Sequence, residues 1–293
     1  MGRKLYLECY SGISGDMMVA SLLDLGADQA VLGNTLNSLK IKGFQTQVSR
    51  VKKSGIDACD FNVILDAEHE SHDHDMEYLH GHHHDHEEIH GHGHHHEEIH
   101  SHHNNHEEIY SHSHEHRGMK EIRLLIQQAD MTEGARTLAL TIFEILAKAE
   151  AKAHNVPEDE VHFHEVGAVD SIVDIIATAV CMDNLDITET IIPVLCEGQG
   201  TIRCQHGILP VPVPAVVNIV QAYKLPIQIV EAQGEFVTPT GAAIAAAIRT
   251  GQKLPEKFSV EKIGIGAGKR KYERPGILRA MLILEELPDR DLI

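Results

Sequence analysis

Residues 4–10 (KLYLECY) read as a short strand that runs into a glycine-punctuated turn, Ser11-Gly12-Ile13-Ser14-Gly15. Asp16 then leads into an apolar helix, MMVASLLDLG, closed by Gly26 in the usual C-terminal position. A second helix covers 28–39, and two strand-like runs, 44–52 and 56–66, are joined by the turn Lys53-Ser54-Gly55. Regular patterning is then lost until Met119. Over 132–153 apolar residues return at Ala135, Leu138, Ala139, Ile142, Ile145, Leu146 and Ala149, steps of three and four that predict an amphipathic helix ended by Asn155 and Pro157. A further helix is expected over about 170–184. The rest alternates: a strand near 189–195, a glycine-rich hairpin reaching 204, a helix from Pro214 and a strand near 227–231. A helix then starts at Thr238, with Pro239 at its first position, and strands follow near 258–265 and 277–285. The expected fold is α+β (mixed α/β), a mixed sheet with flanking helices, interrupted by an insertion. The boundaries are 1–67 and 118–293 for the two parts of the ordered domain and 68–117 for the insertion.

Composition sharpens this picture in one place. The 293 residues are 42% hydrophobic, which fits a globular core, while 4% aromatic residues and no Trp disfavour recognition by stacked bases or sugars. No apolar run approaches the ~20 residues of a membrane span, and the N-terminus has no signal-peptide core, so a cytoplasmic protein is expected. The formal charge is −19, and 13 Asp and Glu with no Lys or Arg lie between Glu68 and Glu115. Outside that tract the chain is mildly acidic, which disfavours a nucleic-acid partner. Cys9, Cys59, Cys181, Cys196 and Cys204 form no C-x-x-C pair and read as reduced, mostly core thiols.

The insertion carries its own chemistry. Twenty of the 24 histidines fall between His69 and His116, within a ten-residue repeat that begins HEEIHGH at His86, HEEIHSH at His96 and HEEIYSH at His106. One Ile per ten residues cannot build a core, so a long mobile loop is expected. Imidazoles are mostly neutral near pH 7 and ligate nickel, zinc and copper. The candidate metal ligands are His80, His82, His83, His84, His86, His90, His92, His94, His95, His96, His100, His102, His103, His106, His112, His114 and His116. The bland alternative is a solubilising acidic linker or an engineered tag, although a tag is normally a terminal run of consecutive histidines. Composition does not choose the metal, because copper outranks nickel and zinc at any such site.

Outside the tract, CYSGISGDMMVASLLDLG (9–26), VHFHEVGAVDSIVDI (161–175), HGILPVPVPA (206–215), GEFVTPTGAA (234–243) and IGIGAGKRKYERPGILR (263–279) resemble the LarC-type nickel insertion proteins. The blocks span the ordered chain in the family's order, and a histidine-rich insertion at this place is also a family feature. The resemblance implies insertion of Ni²⁺ into pyridinium-3,5-bisthiocarboxylic acid mononucleotide, forming two nickel–sulfur bonds and one nickel–carbon bond, for the nickel-pincer cofactor of lactate racemase-type enzymes. It also implies coupling to CTP with Mg²⁺ or Mn²⁺. Family members usually continue into a C-terminal domain associated with CTP. This chain stops at Ile293, so that domain is expected as a separate or frameshift-joined partner, without which catalysis is in doubt. The alternative is a nickel store or metallochaperone without catalysis of its own. A homo-oligomer is compatible with either.

Within that frame the candidate catalytic residues are Asp16, His162, His164, Glu165, Asp170 and Asp174. His162 and His164 project to one side of an extended segment, and Asp170 and Asp174 share one helix face. Together they suit a divalent ion, or the proton that leaves when carbon binds nickel. The alternative is helix capping, a solvated face and packed histidines. Ser11, Gly12, Ser14 and Gly15, between a strand and a helix, suit an anion-holding loop, though without the Lys of a P-loop; Thr238 and Thr240 suit phosphate or simple capping. Lys269, Arg270, Lys271 and Arg274 belong to a cluster of six basic residues against one Glu over 262–279, and are the candidate phosphate cations unless they only guard a strand edge. His206 and Cys9 are weaker candidates, Cys9 reading more readily as buried packing.

Overall fold

The computed structural model describes residues 2–66, 118–158, 160–161, 169–204 and 207–285. The first strand, β1 (Arg3–Glu8), is followed by helices α1 (Gly15–Asp24) and α2 (Gln29–Ser38) and the hairpin β2 (Phe44–Lys53) and β3 (Ile56–Leu65). Helices α3 (Met119–Gln128), α4 (Glu133–His154) and α5 (Val169–Asn184) precede β4 (Ile187–Ile191), β5 (Leu195–Gln199), β6 (Thr201–Cys204) and β7 (Gly207–Pro210). The chain continues through α6 (Pro214–Tyr223), β8 (Ile227–Gln233), α7 (Pro239–Ile248), β9 (Phe258–Ala267) and β10 (Ile277–Glu285).

Six strands form one mixed sheet in the order β2-β3-β9-β10-β1-β4. The strand-to-strand period of two sorts its faces. Leu5 and Leu7 of β1, Leu278, Ala280 and Leu282 of β10 and Phe61 of β3 join the main core beneath the helices. Tyr6, Ile191, Met281 and Ile283 form a smaller cluster on the other face, with Phe258 and Leu254 packed against it. Strands from both 1–67 and 118–293 share this sheet. Helix α1 lies directly on β9, because Gly264 and Gly266 leave no side chain between them. A Cβ at Gly266 would sit 2.0 Å from the Met17 carbonyl oxygen, and one at Gly264 would sit 2.2 Å from that of Ser21. Helix α4 packs against α5, α6 and α7 and completes the helical layer.

The mixed α/β class is as expected, and most elements match their sequence signals. Thr132 caps α4 by accepting from the Ala135 N–H at 3.1 Å, and Asn155 ends it in the left-handed conformation (φ 54°). Thr238 caps α7 by accepting from the Gly241 N–H at 3.1 Å. Three segments differ. The strand expected near 189–195 is two strands in two sheets: β4 pairs with β1, and β5 pairs with β8. The chain leaves the large sheet between them at Ile192-Pro193-Val194, where the apolar residues on both sides of Pro193 suggest a single strand. The hairpin expected to end at 204 is centred there instead, with β6 pairing β7. Helix α3 was not expected, since five of its ten residues, MKEIRLLIQQ, are polar and Ile122 and Ile126 are those buried. Among the described residues no helix is long and apolar enough to cross a membrane.

Candidate functional site

Past its C-terminal end, β1 carries the chain into the loop 9–14, which is stitched to the segment 234–238. The Ile13 N–H donates to the Phe236 carbonyl at 3.0 Å, and the Thr238 N–H donates to the Ile13 carbonyl at 3.1 Å. Gly12 is required here: its φ is +84°, and a Cβ would meet the Phe236 carbonyl oxygen at 2.0 Å. This stitching brings the N-termini of α1 and α7 together, and α5 begins beside them. The three helix starts open on one cavity of about 400 Å³, within the range of single small-molecule sites.

One end of the cavity is acidic. Asp16, Asp170 and Asp174 all line it. Asp174 fits against the start of α1 because residue 15 is glycine; a Cβ there would lie 2.6 Å from Asp174 Oδ2. Asp174 Oδ1 is buried and has no hydrogen-bond partner among the described residues. Asp16 is better served, accepting from the Ser14 hydroxyl and from the Met17 N–H at 2.8 Å, and Asp170 accepts from the Ser171 N–H at 2.9 Å. Asp16 and Asp174 keep only a minor part of their surface, while Asp170 is exposed. Desolvation holds all three above the ordinary carboxylate range, Asp174 furthest, because Asp16 and Asp170 add their like charges to its burial. Among the described residues no three His, Cys, Asp or Glu side chains form a preassembled metal cage.

Another wall is aromatic and basic. Lys269, Arg270, Glu235, Phe236 and Tyr272 line it. The basic residues are already engaged: Lys269 donates to Asp60 at 2.6 Å, Arg270 pairs with the buried Glu235 carboxylate, and Arg274 lies outside the lining and donates to the Tyr10 carbonyl at 3.2 Å. Tyr272 donates its hydroxyl to the Glu235 carbonyl at 2.9 Å and accepts from Arg270 at 3.2 Å. Its ring and that of Phe236 have centroids 4.9 Å apart at an interplanar angle of 50°. Behind this wall Glu197, with no accessible surface, accepts through Oε1 from the N–H groups of Gly198 (2.8 Å), Phe236 (2.7 Å) and Val237 (3.2 Å). Its Oε2 has no partner among the described residues, and burial pushes its pKa up to about 7 despite those donors.

Of the residues singled out from sequence, Ser11, Ser14, Gly15, Asp16, Asp170, Asp174, Thr238, Thr240, Lys269 and Arg270 meet at this cavity. Gly12 shapes the loop from behind. Lys271 is exposed, and Cys9 is buried as a free thiol. His162, His164, Glu165, His206 and every histidine of the tract lie outside the described residues. Sequence reasoning passed over Cys204, Glu235, Phe236 and Tyr272, which also line the cavity, and Glu197 behind it. Glu235, Phe236 and Tyr272 stand inside the blocks GEFVTPTGAA and KRKYERPG, so their position was signalled although their part in the wall was not.

The model of the nickel insertion protein family matches residues 5–292. This chain belongs to that family. Among its relatives, the pyridinium-3,5-bisthiocarboxylic acid mononucleotide nickel insertion protein of Alkaliphilus metalliredigens is 50% identical over 286 residues, covering 97% of this chain and 61% of that protein. Proteins of the same name from Clostridium acetobutylicum and Acetivibrio thermocellus are 43% and 35% identical, over 97% and 96% of this chain and 64% and 60% of their own lengths. This nickel insertion family member thus spans about three-fifths of the curated relatives it matches. No solved structure matches it.

Proposed function

We propose that the chain holds a thiocarboxylated pyridinium mononucleotide in the cavity between α1, α5 and α7 and delivers Ni²⁺ to it. The observation that carries this reading is the unpartnered Asp174 oxygen, buried beside Asp16 and Asp170 in a cavity of small-molecule size that basic and aromatic residues also line. The names of the relatives supply the substrate class. Nickel is cargo here, gathered by the histidine tract and passed inward; His162, His164 and Glu165 directly precede α5 in sequence and are the proposed handover ligands.

Insertion replaces a ring C–H bond with a nickel–carbon bond and releases a proton. Asp174, poised above the usual carboxylate range, suits the acceptor of that proton, with Asp16 and Asp170 steering the dication. Thr238, Thr240 and the N-terminus of α7 suit the nucleotide phosphate, and Lys269 becomes available to it by releasing Asp60. Ser11, Ser14 and Gly15 shape the same mouth. CTP with Mg²⁺ or Mn²⁺ is assigned to the part of the relatives that this chain does not span. On this reading the chain is a nickel chelatase of the lyase class that needs that part for turnover.

The test combines the purified chain, nickel, the bisthiocarboxylated nucleotide and CTP, with and without the remaining portion of a relative. The reading expects a nickel-containing nucleotide, seen by mass spectrometry, that activates an apo-racemase. Nickel uptake with no such product under both conditions leaves a storage protein or metallochaperone instead.

A further inference from the structure

The cavity described above has one wall whose chemistry matches a particular part of a pyridinium nucleotide. Tyr272 packs closely against the backbone at Gly234, whose φ is +118°; a Cβ there would stand 2.3 Å from Tyr272 Cε1. Its hydroxyl is tied to the Glu235 carbonyl at 2.9 Å. The neighbouring Phe236 is fixed from behind by the 2.7 Å bond from its N–H to Glu197. The two rings are therefore preorganised, each held by its backbone surroundings before any ligand arrives. Arg270 stands beside them, but its charge is neutralised by the buried Glu235 carboxylate, so the wall carries no uncompensated cation.

We infer that Tyr272, backed by the buried Phe236, forms the subsite for the pyridinium ring, recognising its positive charge through its aromatic ring. A ring cation within about 6 Å of an aromatic centroid is attracted by the ring quadrupole, and the attraction strengthens where water is excluded. Burial keeps the Tyr272 phenol above its ordinary pKa, so the ring stays neutral at physiological pH. The arrangement also separates the charges of the ligand. The cationic ring rests on the aromatic wall, and its reacting edge faces the carboxylate end, where Asp174 waits for the proton. Discrimination follows, because a neutral dihydropyridine of the same shape loses the attraction and a sugar phosphate without a cationic ring never has it. This subsite rests on the proposed substrate class.

The experiment is calorimetric titration of the full chain with the oxygen analogue, pyridinium-3,5-dicarboxylic acid mononucleotide, and with its reduced dihydropyridine form. The oxidised ring should bind about three- to thirty-fold more tightly than the reduced one. Tyr272→Leu should remove that difference while Tyr272→Phe, which keeps the ring and loses the hydroxyl, preserves it. Thermal melting of both variants checks the fold. Equal affinities for the two forms, no binding of either, or discrimination that survives in a folded Tyr272→Leu protein overturns the subsite. If wild-type protein still inserts nickel in any of those cases, the subsite alone falls. If it inserts none, the reading of the function falls as well.

Discussion

Gly241 sits against the carbonyl of Ile13 so closely that a Cβ on it would lie 2.1 Å from that oxygen. The contact joins the first turn of α7 to the loop before α1, and so fixes the distance between two helix starts that both open on the cavity. Alanine normally stabilises a helix by about 1 kcal/mol relative to glycine. Here the sign reverses: Gly241→Ala should cost about 1–3 kcal/mol, because backbone rather than a flexible side chain must move. Urea unfolding gives the stability, and the pyridinium dicarboxylate probe should bind more weakly to the same variant. A more stable Gly241→Ala protein would mean the two loops are not clamped.

Asp174 is destabilising as it stands, having a buried, unpartnered oxygen and two carboxyl neighbours. Asp174→Asn should therefore raise stability at pH 7 by roughly 1–2 kcal/mol, while nickel insertion falls by at least about a hundredfold. In the wild type the Asp174 pKa is raised, so insertion should increase with pH through an apparent pKa above the ordinary carboxylate value near 4. An Asp174→Asn protein that inserts nickel at the wild-type rate removes Asp174 from the chemistry.

Glu197 sets a pH dependence of stability. Its folded pKa of about 7 lies above the ordinary 4.5, so the folded protein binds its proton more tightly than the unfolded chain does. The sign follows: this group's contribution is fully favourable below pH 4.5 and is lost as pH rises through 7. Glu197→Gln keeps an acceptor for the three N–H groups and removes the charge. It should be more stable than wild type at pH 8, by up to roughly 3 kcal/mol, with the advantage shrinking toward pH 4.5. Chemical unfolding at pH 5 and pH 8 measures this; a constant difference across that range would show that Glu197 does not titrate there.

Removing residues 69–116 should lower nickel stoichiometry, measured by equilibrium dialysis, by most of its value, and leave the cooperative melting of the remaining protein in place. Insertion should survive at high nickel. Its complete loss at saturating nickel would make the tract the source of an essential ligand for the transferred ion.

Much of the architecture was legible because local signals agreed with the tertiary result. The 3.6-residue spacing of apolar positions in α4, its Thr132 cap and its Asn155 stop are properties of neighbouring residues, and the helix forms where they place it. The same holds for Thr238 and Pro239 at α7. The split of β4 from β5 was marked by Pro193 between Ile192 and Val194, a break signal that the apolar neighbours on both sides masked, and nothing local shows that β5 pairs in a different sheet. The cations at 269–274 were visible as charges, but nothing in their spacing shows that Arg270 is tied to Glu235, 35 residues away.

The sequence by itself determined the histidine-rich tract, the mixed α/β class and the family resemblance, since each rests on composition, periodicity or residue order. Tertiary structure alone decided that Asp16, Asp170 and Asp174 share one cavity, that glycine at 15 lets Asp174 reach the start of α1, and that Glu235, Phe236 and Tyr272 line the same cavity. Those relations depend on close approaches between segments distant along the chain, backbone to backbone at Gly12 and Gly241 and backbone to the Asp174 side chain at Gly15. Glycine marks such approaches without naming the residue on the other side, because a missing side chain records that space was needed but not what fills it.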